Sequence, residues 1–119
     1  MKHSVLLIED EALVAMLLED TLLELGFSVA GMVSRLEPAI AAVERGGFDV
    51  AILDVNLNGQ PAYAIADKLR ARGVLFVFAT GYGAQGIRPA YRSVPVLQKP
   101  FGTAKLEAAL KQALEGAQD

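Results

Sequence analysis

Five short apolar runs, at residues 5–8, 27–33, 50–53, 74–79 and 94–97, alternate along the chain with segments of helical spacing. This alternation limits the fold more than any other feature. A continuous apolar run of strand length suits a strand buried on both faces, as in a parallel sheet. Parallel strands need crossovers, and short links make those crossovers right-handed and place helices on both sides of the sheet. The pattern therefore predicts an α/β protein with a doubly wound, five-stranded parallel sheet.

The helical segments are readable individually. Val14, Leu18, Thr21 or Leu22, and Leu25 recur at three and four spacing across 13–25, and Gly26 marks the stop. Leu36, Ile40 and Val43 give a second helix ending at Gly46-Gly47. Two starts fit it. Ser34-Arg35-Leu36-Glu37 has the form of a capping box, whereas Pro38 suits the first helical position. Residues 56–61 read as a polar loop around Asn58-Gly59, and 62–72 as a helix with Ile65 and Leu69 inward. Residues 84–93 are weakly patterned, with Gly86 and Pro89 inside, and predict a short or mobile helix. Leu106, Leu110, Ala113 and Leu114 mark the last helix.

Composition bounds the function. At 119 residues the chain is one domain long, so 1–119 reads as a single unit without an output domain. Cysteines are absent and His3 is the one histidine, which leaves thiolate chemistry and histidine clusters out. A net charge of −3 argues against direct nucleic-acid binding. No apolar run approaches the ~20 residues of a spanning helix, and acids follow the first run too soon for a signal peptide. A cytoplasmic protein without membrane insertion is expected. The mild net charge hides an imbalance. Six acids and no bases lie in 9–24, and seven bases and no acids in 68–105.

In a doubly wound sheet, sites form outside the carboxyl ends of the strands. Here those ends read Glu9-Asp10-Glu11, Asp54 with Asn56, Thr80, and Gln98-Lys99-Pro100. Each has a plain structural reading: a helix cap for Asp10 or Glu11, an Asx turn for Asp54, a strand end for Thr80, a solvated base for Lys99. Together they read differently. Converging carboxylates need a cation, and hard oxygen ligands suit Mg²⁺ (or Mn²⁺). A lysine and a hydroxyl suit phosphoryl oxygens, and an aspartate can serve as a phosphoryl acceptor. The set predicts phosphoryl transfer, with Asp54 as acceptor.

The same residues resemble a family. Leu7-Ile8-Glu9-Asp10-Glu11, Leu53-Asp54-Val55-Asn56-Leu57, Ala79-Thr80-Gly81 and Lys99-Pro100-Phe101 resemble the receiver domain of two-component response regulators. Phe78-Ala79-Thr80-Gly81-Tyr82-Gly83 resembles the signature of the FAT GUY subgroup of stand-alone receivers. The resemblance implies a flavodoxin-like (CheY-like) fold with strand order 2-1-3-4-5. It implies Asp54 as phosphoacceptor, Glu9, Asp10 and the main-chain carbonyl of Asn56 with Asp54 as the metal set, and Thr80 and Lys99 as phosphoryl-binding groups. Pro100 corresponds to a proline after a cis peptide, Gly81 to a small residue beside the acceptor, and Tyr82 to a position linked to dephosphorylation rate. The family's aromatic switch position is Val96 here, so the usual aromatic coupling is absent.

The implied partners are a histidine kinase or phosphotransfer protein, and a downstream protein met through the fourth helix, fifth strand and fifth helix. A monomer or weak dimer is expected. The implied chemistry is self-catalysed phosphorylation and dephosphorylation of Asp54, without enzymatic turnover of another substrate. Two other readings compete: a receiver-like interaction module not switched by phosphate, and a small aspartyl-phosphate phosphatase. The second lacks an acid at Asn56 to protonate a leaving group.

Overall fold

The computed structural model describes residues 3–81 and 87–116. The elements run β1 (Ser4–Ile8), α1 (Ala12–Glu24), β2 (Ser28–Val33), α2 (Leu36–Arg45) and β3 (Val50–Asp54). A two-stranded hairpin of β4 (Asn56–Leu57) and β5 (Gln60–Pro61) follows. Then come α3 (Tyr63–Ala71), β6 (Leu75–Thr80), a 3₁₀ turn (Pro89–Tyr91), β7 (Val96–Gln98) and α4 (Thr103–Gly116). The main sheet is parallel throughout, in the order β2-β1-β3-β6-β7. In terms of the five apolar runs this is 2-1-3-4-5, the expected flavodoxin-like winding, with the order reversing at β1 and β3.

Period-two alternation splits the core into two layers. Leu6 and Ile8 of β1, Ala51 and Leu53 of β3, and Phe76 and Phe78 of β6 pack with α2 and α3. Val5 and Leu7, Val50 and Ile52, and Val77 pack against Leu18 and Leu22 of α1 and Leu106 and Leu110 of α4. Both sets of each inner strand are buried, and for that reason these strands read as unbroken apolar runs. β2 lies at an edge and, from Val29 to Val33, alternates between half-buried and exposed positions. Among the described residues no helix is long and apolar enough to cross a membrane.

Several boundaries differ from expectation. α2 begins at Leu36, with Arg35 at the cap position and no side-chain cap. Neither expected start holds. Ser34 makes no capping bond, and Pro38 is the third helical residue. A proline is harmless there, because first-turn N–H groups have no intrahelical acceptor to lose. The last sheet strand starts at Val96, not at residue 94, and continues to Gln98. Pro95 has no N–H to donate to the ladder; its carbonyl accepts from the Phe78 N–H at 2.9 Å. β6 likewise runs one residue past the expected end, to Thr80.

The short or mobile helix expected at 84–93 is a short 3₁₀ helix within its described part; residues 84–86 lie outside the described residues. Arg88 is extended, as the residue before a proline tends to be, and Pro89 opens a single 3₁₀ turn. Ile87 and Tyr91 are buried, so the segment is packed rather than loose.

The loop expected at 56–61 is a tight hairpin. Asn56 pairs with Pro61, and Leu57 with Gln60. Asn58 and Gly59 both take positive φ, 52° and 82°. Two such residues define the hairpin turn that Asn-Gly favours. A Cβ on Gly59 would meet nothing within 4 Å, so only its backbone conformation requires glycine. Gly59→Ala should therefore destabilise the protein by about 1 kcal/mol, through left-handed backbone strain alone. The midpoint of thermal unfolding should fall by about 4 °C. An unchanged midpoint would show that the turn is not held in this conformation.

Candidate functional site

The carboxyl ends of β1, β3, β6 and β7 bring the predicted residues to one rim of the sheet. β3 ends on Asp54, which is 7% exposed, and β6 ends on Thr80, which is 5% exposed. Glu9 follows β1 and is buried; Asp10 beside it is partly exposed. Lys99 follows β7, and its backbone N–H donates to the Thr80 carbonyl at 2.8 Å. That bond sets the lysine stem against the end of β6.

The Lys99 side chain crosses to the acids. Its Nζ donates to Asp54 Oδ2 at 3.1 Å and lies 2.6 Å from Glu9 Oε1. The Glu9 contact is a charge pair without good hydrogen-bond geometry, and Oε1 is a buried oxygen with no hydrogen bond. Glu9 Oε2 accepts from the Glu11 N–H at 3.1 Å. Asp54 Oδ1 accepts from the Asn56 N–H at 3.2 Å. Asp54 thus makes the plain Asx contact with one oxygen and holds Lys99 with the other.

Asp10 does not cap α1, which has no side-chain cap. Its Oδ2 accepts from the Asn58 N–H at 2.9 Å, while the Asn58 side-chain amide donates to the Ser34 carbonyl at 3.2 Å. The hairpin turn is therefore tied to Asp10 at the edge of the site. Sequence reasoning did not assign Asn58 this role; the Asn-Gly dipeptide was its one visible signal.

The charges do not balance. One carboxylate oxygen from each of Glu9, Asp10 and Asp54 lies within 4.8 Å of the others, against a single ammonium. Burial and the neighbouring Glu9 charge push the Asp54 carboxyl up to about 7, overcoming the Asn56 N–H and Lys99. Burial alone would lower Lys99, but the Glu9 and Asp54 carboxylates outweigh it and hold the ammonium above its ordinary value. At Asp10, burial is outweighed by hydrogen bonds, chiefly from the Asn58 N–H, and its pKa is lowered. Three oxygen donors and excess negative charge fit a hard divalent cation.

Gly81 follows Thr80 and is exposed, and a side chain there would meet nothing within 4 Å. Asn56 is exposed in β4. Val96 is half-buried and pairs with Phe78 in the sheet. The Lys99–Pro100 peptide is cis. Tyr82 lies outside the described residues.

The response regulator receiver domain family matches residues 5–111. The solution structure of SdrG from Sphingomonas melonis Fr1 is similar over 95% of this chain and 97% of that one, at 44% identity and a TM-score of 0.86. The BeF3-activated conformation of SdrG, from Pseudomonas melonis Fr1, is similar at 45% identity and a TM-score of 0.82, covering 93% and 95% of the two chains. A CheY-like receiver domain from Methylobacillus flagellatus is similar at 25% identity and a TM-score of 0.82, over 95% and 99%. No curated protein sequence matches significantly.

The raised Asp54 pKa has a consequence for stability. An unfolded aspartate titrates near 3.8 and the folded Asp54 at about 7, so between these values the folded state holds the extra proton. Stability then falls as pH rises through this window, and the penalty is complete above it. In the presence of EDTA at about pH 8, Asp54→Asn should unfold at least about 5 °C higher than the wild type. The gap should narrow steadily as pH falls and close near about pH 4, and it should shrink when Mg²⁺ is supplied. A variant no more stable than wild type under these conditions would contradict the charge imbalance.

Proposed function

The chain belongs to the response regulator receiver domain family, and from that premise we propose that it is a phosphorylation-switched response regulator whose acceptor is Asp54. One observation carries this reading: the strand tips bring Asp54, Lys99, Glu9 and Asp10 together, with Thr80 on the adjoining strand end. The likeness to SdrG in its BeF3-activated conformation supports it.

In this proposal a histidine kinase or phosphotransfer protein presents a phosphohistidine to the open rim at Gly81. An Asp54 oxygen forms the new bond to phosphorus, the phosphorus–nitrogen bond breaks, and the histidine nitrogen keeps the electron pair. Asp54 must be ionised to attack. Lys99 already favours that form and would follow the charge onto the transferred group. Thr80 supplies a hydroxyl for a phosphoryl oxygen. Mg²⁺, held by Asp10, Asp54 and the Asn56 carbonyl with Glu9 beside it, would neutralise charge on the phosphoryl oxygens. The protein turns over no other substrate. Phosphorylation would shift a two-state equilibrium at the face formed by segment 87–94, β7 and α4, and a protein partner would read that face.

With Mg²⁺ present, beryllofluoride should move the backbone amide resonances of Asp54, Thr80 and Lys99, and Asp54→Asn should abolish the change. The absence of any Mg²⁺-dependent change in the wild type would overturn the reading. Lys99→Met should slow phosphorylation by a small phosphodonor about 10²-fold, followed as an acid-stable, base-labile phosphate on Asp54. A rate within a few-fold of wild type would remove Lys99 from the role given to it.

A further inference from the structure

Away from the acidic rim, α3 and segment 87–94 hold each other through a reciprocal pair of contacts. Arg70 of α3 lays its guanidinium 4.0 Å over the ring of Tyr91, and Arg88 lays its own 4.1 Å over the ring of Tyr63. Arg70 Nη1 also donates to the Ala90 carbonyl at 2.9 Å, and the Arg88 backbone N–H donates to the Tyr63 hydroxyl oxygen at 3.0 Å. The two rings are neighbours, with centroids 5.7 Å apart, and both tyrosines are buried.

Stacking accounts for the faces of these guanidiniums, not for the charge at their edges. Among the described residues neither arginine has a carboxylate within 4.0 Å. Lys68, by contrast, faces Glu44 at 4.0 Å. The acid closest in sequence, Asp67, accepts a hydrogen bond from the Tyr91 hydroxyl. Both guanidinium charges are near enough to act on that hydroxyl. Arg70, Arg88 and Arg92 are all exposed, and the whole stretch 68–105 contains no acid. A guanidinium stacked on a ring has already lost its rotamer freedom and keeps a fork of N–H donors that fits a carboxylate.

We propose that the outer edge of the Arg70–Tyr91 and Arg88–Tyr63 stacks is a docking surface for a glutamate- or aspartate-rich segment of a partner protein. Carboxylates of that segment take the free edges of the two guanidiniums. A nucleic acid fits less well. The rings lie beneath the guanidiniums and offer no platform for bases. The surface is defined without reference to phosphate on Asp54, so its test stands apart from that of the switch.

The test is a titration of the ¹⁵N-labelled protein with a capped peptide of alternating glutamate and serine, followed by amide shifts. The shifts should centre on α3 and residues 87–92. Arg70→Lys and Arg88→Lys retain the charge but lose the planar fork, and each should weaken binding about fivefold to tenfold. Arg92→Lys, at an arginine that stacks on no ring among the described residues, should bind like wild type. Spectra that superimpose elsewhere establish that each variant is folded, and either stacked arginine suffices if the other variant is not. Equal binding by both lysine variants would reduce the surface to undifferentiated charge and overturn the proposal. No saturable shift by the peptide would overturn it, as would tighter binding of duplex DNA or anionic lipid vesicles at the same residues.

Discussion

The Lys99 ammonium is the contact on which the site depends. It reaches 2.6 Å from Glu9 and 3.1 Å from Asp54, tying the tips of β7, β1 and β3 together where like charges would otherwise drive them apart. A compact, rotatable ammonium suits this task, because it can follow whichever oxygen carries the most charge. One cation among three carboxylates still leaves the site negative. That deficit explains both the raised Asp54 pKa and the fit of the rim to a divalent ion. A charge arrangement that costs stability without its ligand is a common property of binding sites, and here it follows from the sheet winding itself.

The winding does the positioning. Parallel strands end on the same side of the sheet, so residues 45 apart in sequence, Asp54 and Lys99, share a hydrogen bond. The rigid part of the site lies on strand ends whose preceding residues are wholly buried, such as Leu53 and Ile8. Around it, the hairpin holds Asp10 through the Asn58 N–H, and α3 grips segment 87–94 through the stack of Arg70 on Tyr91.

Much of this was legible in the sequence, for identifiable reasons. Strands buried on both faces leave an unbroken apolar run, so β1, β3 and β6 stood out, and their polar terminators marked the rim. What failed to show depended on contacts distant in sequence. Ser34-Arg35-Leu36-Glu37 has the local form of a capping box, yet the Ser34 carbonyl serves Asn58 and Arg35 takes the cap position. The burial of Glu9, and its contact with Lys99, cannot be read from Glu9-Asp10-Glu11 as a string of acids. The weak pattern at 84–93 hid a buried Tyr91, because its partners Tyr63, Asp67 and Arg70 lie on another element. Where the receiver pattern has an aromatic, Val96 pairs with Phe78 as part of the sheet, and the exposed arginines lie on the neighbouring α3 and segment 87–94.

The central claim is that the strand tips hold Asp54 in a site with more negative charge than its lysine can neutralise. The most direct measurement is a pH titration of the Asp54 side-chain carboxyl carbon by ¹³C NMR, with and without Mg²⁺. The account predicts a midpoint near 7 in the absence of the ion and a large downward displacement when Mg²⁺ is added. A midpoint close to the ordinary aspartate value of 3.8 and indifferent to Mg²⁺ would contradict it.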